Sequence, residues 1–181
     1  LQMPDWNNVI DKYISIIKQM VEENREIAMS DDKSPGRGST DVIFGKNAII
    51  ILLENIYPFD AVGIDAIAQY ECLIKEHCEA YLFGTKNTDA SINPYTIAKS
   101  DLYKVIKQKS TLIIYHYSSY CEIAEKILKS AKCKIVLKYH NITPSAFFRN
   151  YSKKMSDITE LGRKRINRLI KNRQVPHYLA D

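Results

Sequence analysis

The sequence predicts an α/β protein: a parallel sheet with helices on both faces, preceded by an amphipathic N-terminal helix. Three observations carry this expectation. The run from Ala48 to Leu53 is apolar at every position, as in a strand covered on both faces. Strand-like segments then recur 15 to 30 residues apart, and the stretches between them have helical spacing, the pattern of βαβ units. Finally, 181 residues with 45% apolar and 26% charged content suffice for a core that needs neither metal nor disulfide.

Taken in order, Asp5 to Met29 places Trp6, Val9, Ile10, Tyr13, Ile14, Ile17, Met20 and Val21 on one helical face. Pro4 and Asp5 supply the start signal. Residues 1–29 therefore form an amphipathic helix, which packs on the main domain, pairs with another copy or lies on a membrane. The near-equal mix of acids and bases on its polar side argues against the membrane. The polar segment 30–41, with Pro35, Gly36 and Gly38, is a linker, and 42–181 is the α/β domain.

Within that domain, Asn47 to Leu53 is the first strand. Asp60 to Cys78 is a helix burying Val62, Ile67, Tyr70, Leu73 and Ile74. Glu79 to Phe83 is a strand, Thr85 to Asn93 a polar loop and Pro94 to Lys109 a helix. Thr111 to Tyr115 and Cys133 to Tyr139 are the third and fourth strands, separated by a helix from Tyr120 to Lys132. A basic helix from Ser156 to Lys171 and a fifth strand from Val175 to Ala180 complete the domain.

Several classes are excluded. The longest apolar run falls far short of the roughly 20 residues a membrane span needs, and no secretory signal opens the chain. There is no G-x-G-x-x-G or G-x-x-x-x-G-K-[ST] loop, so neither a dinucleotide cofactor nor a P-loop nucleotide is expected. Cys72, Cys78, Cys121 and Cys133 lack metal or redox spacing and fit reduced thiols of a cytoplasmic protein. A site built from Cys72, His77 and Cys78 has no fourth ligand near in sequence, and no metal is expected.

Charge is uneven. From Arg149 to Arg173 nine basic residues face only Asp157 and Glu160, leaving that stretch +7 in a chain of net charge +5. Such a stretch is a solvated face or a surface for an anionic partner. No aromatic residue interleaves Gly162 to Arg173, which speaks against single-stranded nucleic acid. An anionic membrane surface or a lipid-linked ligand is the preferred partner, through 149–173.

In a parallel α/β sheet ligands bind outside the carboxyl ends of the strands. Three segments fall there. Asp60, Ala61, Val62 and Gly63 open the first helix, whose backbone N–H groups favour phosphate. His116, Tyr117 and Ser118 follow the third strand, and His140, Asn141 and Thr143 follow the fourth. An imidazole at such an edge can donate, accept or shuttle a proton near neutral pH. No nucleophile–His–acid motif and no pair of glycosidase-type carboxylates is visible.

The segments Phe59 to Asp65 (FDAVGID), Ile113 to Ser118 (IIYHYS) and Tyr139 to Pro144 (YHNITP) together resemble the N-terminal, acceptor-side half of retaining glycosyltransferases of the GT-B fold, family four. The likeness is greatest to bacterial members that build cell-surface polysaccharides, and it spans about Asn47 to Asp181. Phe59 stands where a leading Gly is usual, and Ile64 where Asn is common.

The resemblance implies a Rossmann-like half that moves a sugar from a nucleotide-diphosphate donor to a growing or lipid-linked glycan, with retention and without a metal. It gives His116 contact with the transferred sugar or departing phosphate. Asp60, Ala61, Val62 and Gly63 approach the donor phosphates or acceptor hydroxyl. Tyr117, Ser118, His140, Asn141 and Thr143 line the substrate side. No cofactor is implied beyond the nucleotide sugar, and the enzyme would work in the cytoplasm at the inner face of the membrane.

The chain begins at Leu1 rather than Met and stops where the family continues into a donor-binding half, so a piece that is silent on its own is expected. Two other readings stay open. One is a non-catalytic Rossmann-like module self-associating through 5–29. The other is a flavodoxin-like or response-regulator-like domain, against which the lack of an acidic cluster after the first strand speaks.

Overall fold

A computed structural model describes residues 47–171 and 177–180, with helical positions 15, 19 and 22. The expected packing or pairing of helix 5–29 and the linker 30–41 lie outside the described residues, those three positions aside.

Strands β1 (Ile49–Ile56), β2 (Ala80–Thr88), β3 (Leu112–Tyr117) and β4 (Lys134–Tyr139) form a parallel sheet in the order β2-β1-β3-β4. A short β5 (His177–Ala180) runs parallel to β4 at the edge. Helices α1 (Ala61–Lys75), α2 (Lys99–Val105), α3 (Glu122–Ser130) and α4 (Lys153–Lys171) alternate with the strands. This is a Rossmann-like parallel α/β sheet.

Its two faces carry separate cores. Ile49, Ile51, Leu53, Leu112, Ile114 and Val136 pack with Ala66 and Leu73 of α1. Ile50, Leu52, Ile113, Tyr115, Tyr117 and Leu137 pack with Leu102 of α2, Ile127 of α3 and Ile166 of α4. Period-two alternation sends neighbouring side chains to opposite faces, and because both faces are covered the interior strands open with continuous apolar runs, Ile49 to Leu53 and Leu112 to Ile114. A register shift between Leu53 and Asn55 changes the parity, so Leu53 and Ile56 share one core although three residues apart.

Several boundaries differ from those read in the sequence. β1 continues to Ile56 and β3 to Tyr117. β2 continues to Thr88, into the expected loop, because Asn87 and Thr88 pair with Asn55 and Ile56; tertiary pairing overrides the weak strand propensity of these residues. The helix expected over Pro94 to Lys109 is shorter. A 3-10 turn (Ala90–Tyr95), capped by the Asp89 carboxylate, precedes it. The chain then pairs with the β2 edge, where the Ile97 N–H donates to the Leu82 carbonyl. Only then does α2 begin. On α1, Ile74 is 44% exposed rather than buried. The inward stripe is Gly63, Ala66, Gln69 and Leu73, which leaves Ile74 on the solvent side.

Helix α1 ends in a Schellman motif. His77 sits in the left-handed region at φ 57°, its N–H donates to the Ile74 carbonyl, and the Cys78 N–H donates to that of Leu73. His77 thus terminates a helix, which accounts for its place between Cys72 and Cys78 without a metal. A side chain in this conformation costs about 1–2 kcal/mol that glycine avoids. His77→Gly is therefore expected to raise stability by about 1 kcal/mol, read as a higher urea midpoint; an unchanged or lower midpoint contradicts the assignment.

The basic helix α4 is partly committed to the fold. The Tyr117 hydroxyl donates to the Gly162 carbonyl at 2.8 Å, and Arg163 donates to the Ile142 carbonyl at 2.8 Å. Arg165 lies 3.6 Å from the buried Glu125 carboxylate and over the Tyr120 ring. Lys164 pairs with Glu160 one turn away, an exposed contact of small energy. All four cysteines are free thiols, with Cys121 buried; burial pushes Cys133 up to about 12.

Candidate functional site

At the carboxyl edge of the sheet, on the α1 side, β3, β4 and α1 bring five polar side chains together. Their convergence follows from register. His116 lies directly opposite Lys138 across the β3–β4 pair, and His140 follows two residues later. Side chains two apart share a face, so these three point toward α1. That helix answers with Asp65 and Gln69, one turn apart on the same side.

The His116 ring is fully buried and the His140 side chain is 14% exposed. The two rings meet edge to edge, with centroids 5.0 Å apart and planes inclined by 26°. His116 Nε2 lies 2.6 Å from the Gln69 carbonyl oxygen, and its Nδ1 lies 3.0 Å from His140 Nε2. With a carbonyl as its partner, Nε2 of His116 carries the proton and donates it. Nδ1 is then a lone-pair nitrogen, accepting from the His140 Nε2–H. Burial above all, then the Lys138 ammonium and His140, holds His116 well below the usual imidazole range. The buried ring is therefore neutral at pH 7.

Asp65 closes the group. Its Oδ2 accepts from the Lys138 ammonium at 2.5 Å, and lies 3.3 Å from His116 Nδ1 and 3.7 Å from His140 Nε2. Asp65 is 37% exposed and Lys138 13%, so the carboxylate is open to solvent while the ammonium is largely enclosed.

Helix α1 starts against the same edge. The Asp60 carboxylate accepts from the Gly63 N–H at 2.7 Å, a helix N-cap. Gly63 lies against the β1–α1 loop so closely that a Cβ would stand 1.9 Å from the Tyr57 carbonyl oxygen. Glycine is required here by space.

The expected residues thus separate into three groups. His116 and His140 meet, and Asp60 to Gly63 begin the helix that carries Asp65 to them. Ser118, Asn141 and Thr143 lie on the segments following β3 and β4, with Asn141 and Thr143 exposed. Tyr117 does not join them. It points to the opposite face of the sheet, where its hydroxyl is bonded to Gly162 and burial pushes its phenol up. Asp65, Gln69 and Lys138 were absent from the sequence-derived set. Their signal is a polar break: Gln69 interrupts an otherwise apolar or small inward stripe, with Asp65 one turn before it at the stripe's border, and Lys138 interrupts an apolar strand.

Fold and site together define a Rossmann-like parallel α/β protein with a histidine–carboxylate–lysine cluster at the carboxyl edge of its sheet. No protein-family model matches the chain, and no curated protein matches it either.

Proposed function

We propose that this chain is the acceptor-side half of a retaining, GT-B glycosyltransferase of family four, moving sugar from a nucleotide diphosphate to a growing or lipid-linked glycan. The observation that supports it is the convergence, at the carboxyl edge of one parallel sheet, of Asp60–Asp65, His116 and His140. These come from the three segments that carry the resemblance.

His116, which the resemblance puts in contact with the transferred sugar or departing phosphate, has a fully buried ring, so in this reading the 14% exposed His140 is the imidazole that meets substrate. His116 is a positioning residue. Its ring, anchored on Gln69, is hydrogen-bonded to His140 and holds Nε2 of that ring at a fixed point. The N-terminal, positive end of the α1 dipole lies at this edge, where a departing diphosphate would be stabilised. Ser118, Asn141 and Thr143 line the glycan side.

The basic stretch 149–173, described to Lys171, is the part of the chain that would meet the anionic membrane where a lipid-linked acceptor resides. Phe147 and Tyr151, at 69% and 89% exposure, lead into α4 beside Arg149, Lys153 and Lys154. None of the described helices is long and apolar enough to cross a membrane. In this reading the half works at the membrane surface, and sugar transfer needs the donor-binding half.

The test is nucleoside diphosphate release from a panel of uridine- and guanosine-diphosphate sugars by the product of the whole reading frame. His140→Ala is expected to lower release about a hundredfold with circular dichroism unchanged. Release that is undetectable in the parent, or equal in His140→Ala, would overturn the proposal.

A further inference from the structure

We infer that the α1 face of the sheet, over β3 and β4, is the docking seat of the amphipathic segment 5–29 of this same chain. Burial without a described cover carries the inference. Leu112, Ile114 and Val136 point to this face and are all but fully buried. The opposite face has α2, α3 and α4 packed on it, whereas among the described residues α1 is the one helix on this face. That helix lies over β1 and β2. In the order β2-β1-β3-β4, β4 is two and a half strand spacings from the middle of that pair, about 12 Å. A helix with its side chains reaches about 5–6 Å from its axis. Asp65 and Gln69 span the gap to Lys138 and His116 at the carboxyl end, but Ile114 and Val136, further toward the amino end, require another cover.

The segment 5–29 has the complementary requirement. Positions Ser15, Gln19 and Glu22 are helical and exposed, and at 3.6 residues per turn they form one stripe. Trp6, Ile10, Tyr13, Ile17 and Met20 then fall within about 40° of the opposite direction. A helix of this kind draws its stability from burying that apolar face. From Trp6 to Met20 the face is about 21 Å long at 1.5 Å per residue. The six residues of β3 extend about 20 Å at 3.3 Å per residue, so helix and seat match in length.

Reach and mass action favour the chain's own segment over a second copy. The connection 30–46 leads into Asn47 and β1 of the same sheet, and about 17 residues at 3.3 Å each span up to roughly 56 Å. A tether of this length holds its end at an effective concentration on the order of millimolar, above that of a second copy in a dilute sample. The polar cluster stays in place. The seat ends where His116, Lys138 and His140 begin, so the docked helix borders these residues without replacing any of their bonds. The inference stands whether or not the chain transfers sugar, since its readout is contact within the chain.

The test is methyl NMR on the full 181-residue chain. Nuclear Overhauser contacts are expected from the Ile114 and Val136 methyl groups to Trp6, Ile10, Tyr13 or Ile17. In a mixture of labelled and unlabelled protein, no such contact should cross between molecules. Trp6 is the sole tryptophan, so its emission reports on the docked face. Ile10→Asp/Ile17→Asp should shift that emission to the red and raise its quenching by acrylamide, while the methyl signals of Ile113 and Leu137, on the opposite face, stay in place. Ser15→Ala, on the exposed stripe, should behave as the parent does. The inference is overturned if Ile114 and Val136 contact only residues after 41, if their contacts with 5–29 run between molecules, or if Trp6 emission is the same in Ile10→Asp/Ile17→Asp as in the parent. If that variant fails to fold, the parent's methyl contacts decide.

Discussion

Replacing Gly63 with alanine is expected to destabilise the protein by about 3 kcal/mol, the upper end of overpacking costs. The new methyl carbon would stand 1.9 Å from the Tyr57 carbonyl oxygen, 2.8 Å from its carbon and 3.0 Å from the Tyr57 nitrogen. All three are backbone atoms, so no side-chain rotation relieves the clash, and either α1 or the β1–α1 loop must move. Movement of α1 carries Asp65 and Gln69 away from the histidines. Urea denaturation should register the lost stability. An unchanged denaturation midpoint would mean that the helix does not press on Tyr57 as described.

Ile114→Ala has the second large effect. Ile114 is fully buried in the core shared by β1, β3, β4 and α1, two residues before His116 on the same face. Truncation there costs about 2–5 kcal/mol, through lost transfer energy and the cavity left behind. Domains of this size are stable by about 5–15 kcal/mol, so the variant should remain folded in the cold with a much lower urea midpoint. Ile74→Ala, at an exposed position of α1, is the matched control and should change stability by no more than about 0.5 kcal/mol. Equal losses in both variants would place Ile74 in a core and contradict the inward stripe of α1.

The parts of the fold that could be read from the chain are those fixed by local pattern. The run Ala48 to Leu53 announces a strand buried on both faces. The apolar strands ending at Tyr117 and Tyr139 bring His116 and His140 to one edge simply by running parallel and adjacent. What local pattern does not contain is pairing. Asn87 and Thr88 belong to a strand only because β1 continues beside them. The detour of Thr96 and Ile97 along β2 delays α2 for the same reason.

The site divides along the same line. The histidines were legible as strand-end residues, but their burial was not. It depends on how closely α1 lies over the sheet, which Gly63 and Ala66 permit. Asp65, Lys138 and Gln69 became site residues only when helix and strands were brought face to face. Tyr117 illustrates the converse: adjacent to His116 in sequence, it is carried to the other face by the alternation of a strand that extends two residues beyond the predicted end.

The central claim is that this sheet edge serves glycosyl transfer, and the most direct measurement starts from the parent reading frame. The frame is read past the codon for Asp181 and its whole product is assayed for sugar transfer, with the anomeric configuration of the product determined by NMR. The account predicts about 150 to 200 further residues of alternating strands and helices and a product that retains the donor's configuration. A stop codon directly after Asp181, or a product of inverted configuration, would contradict it.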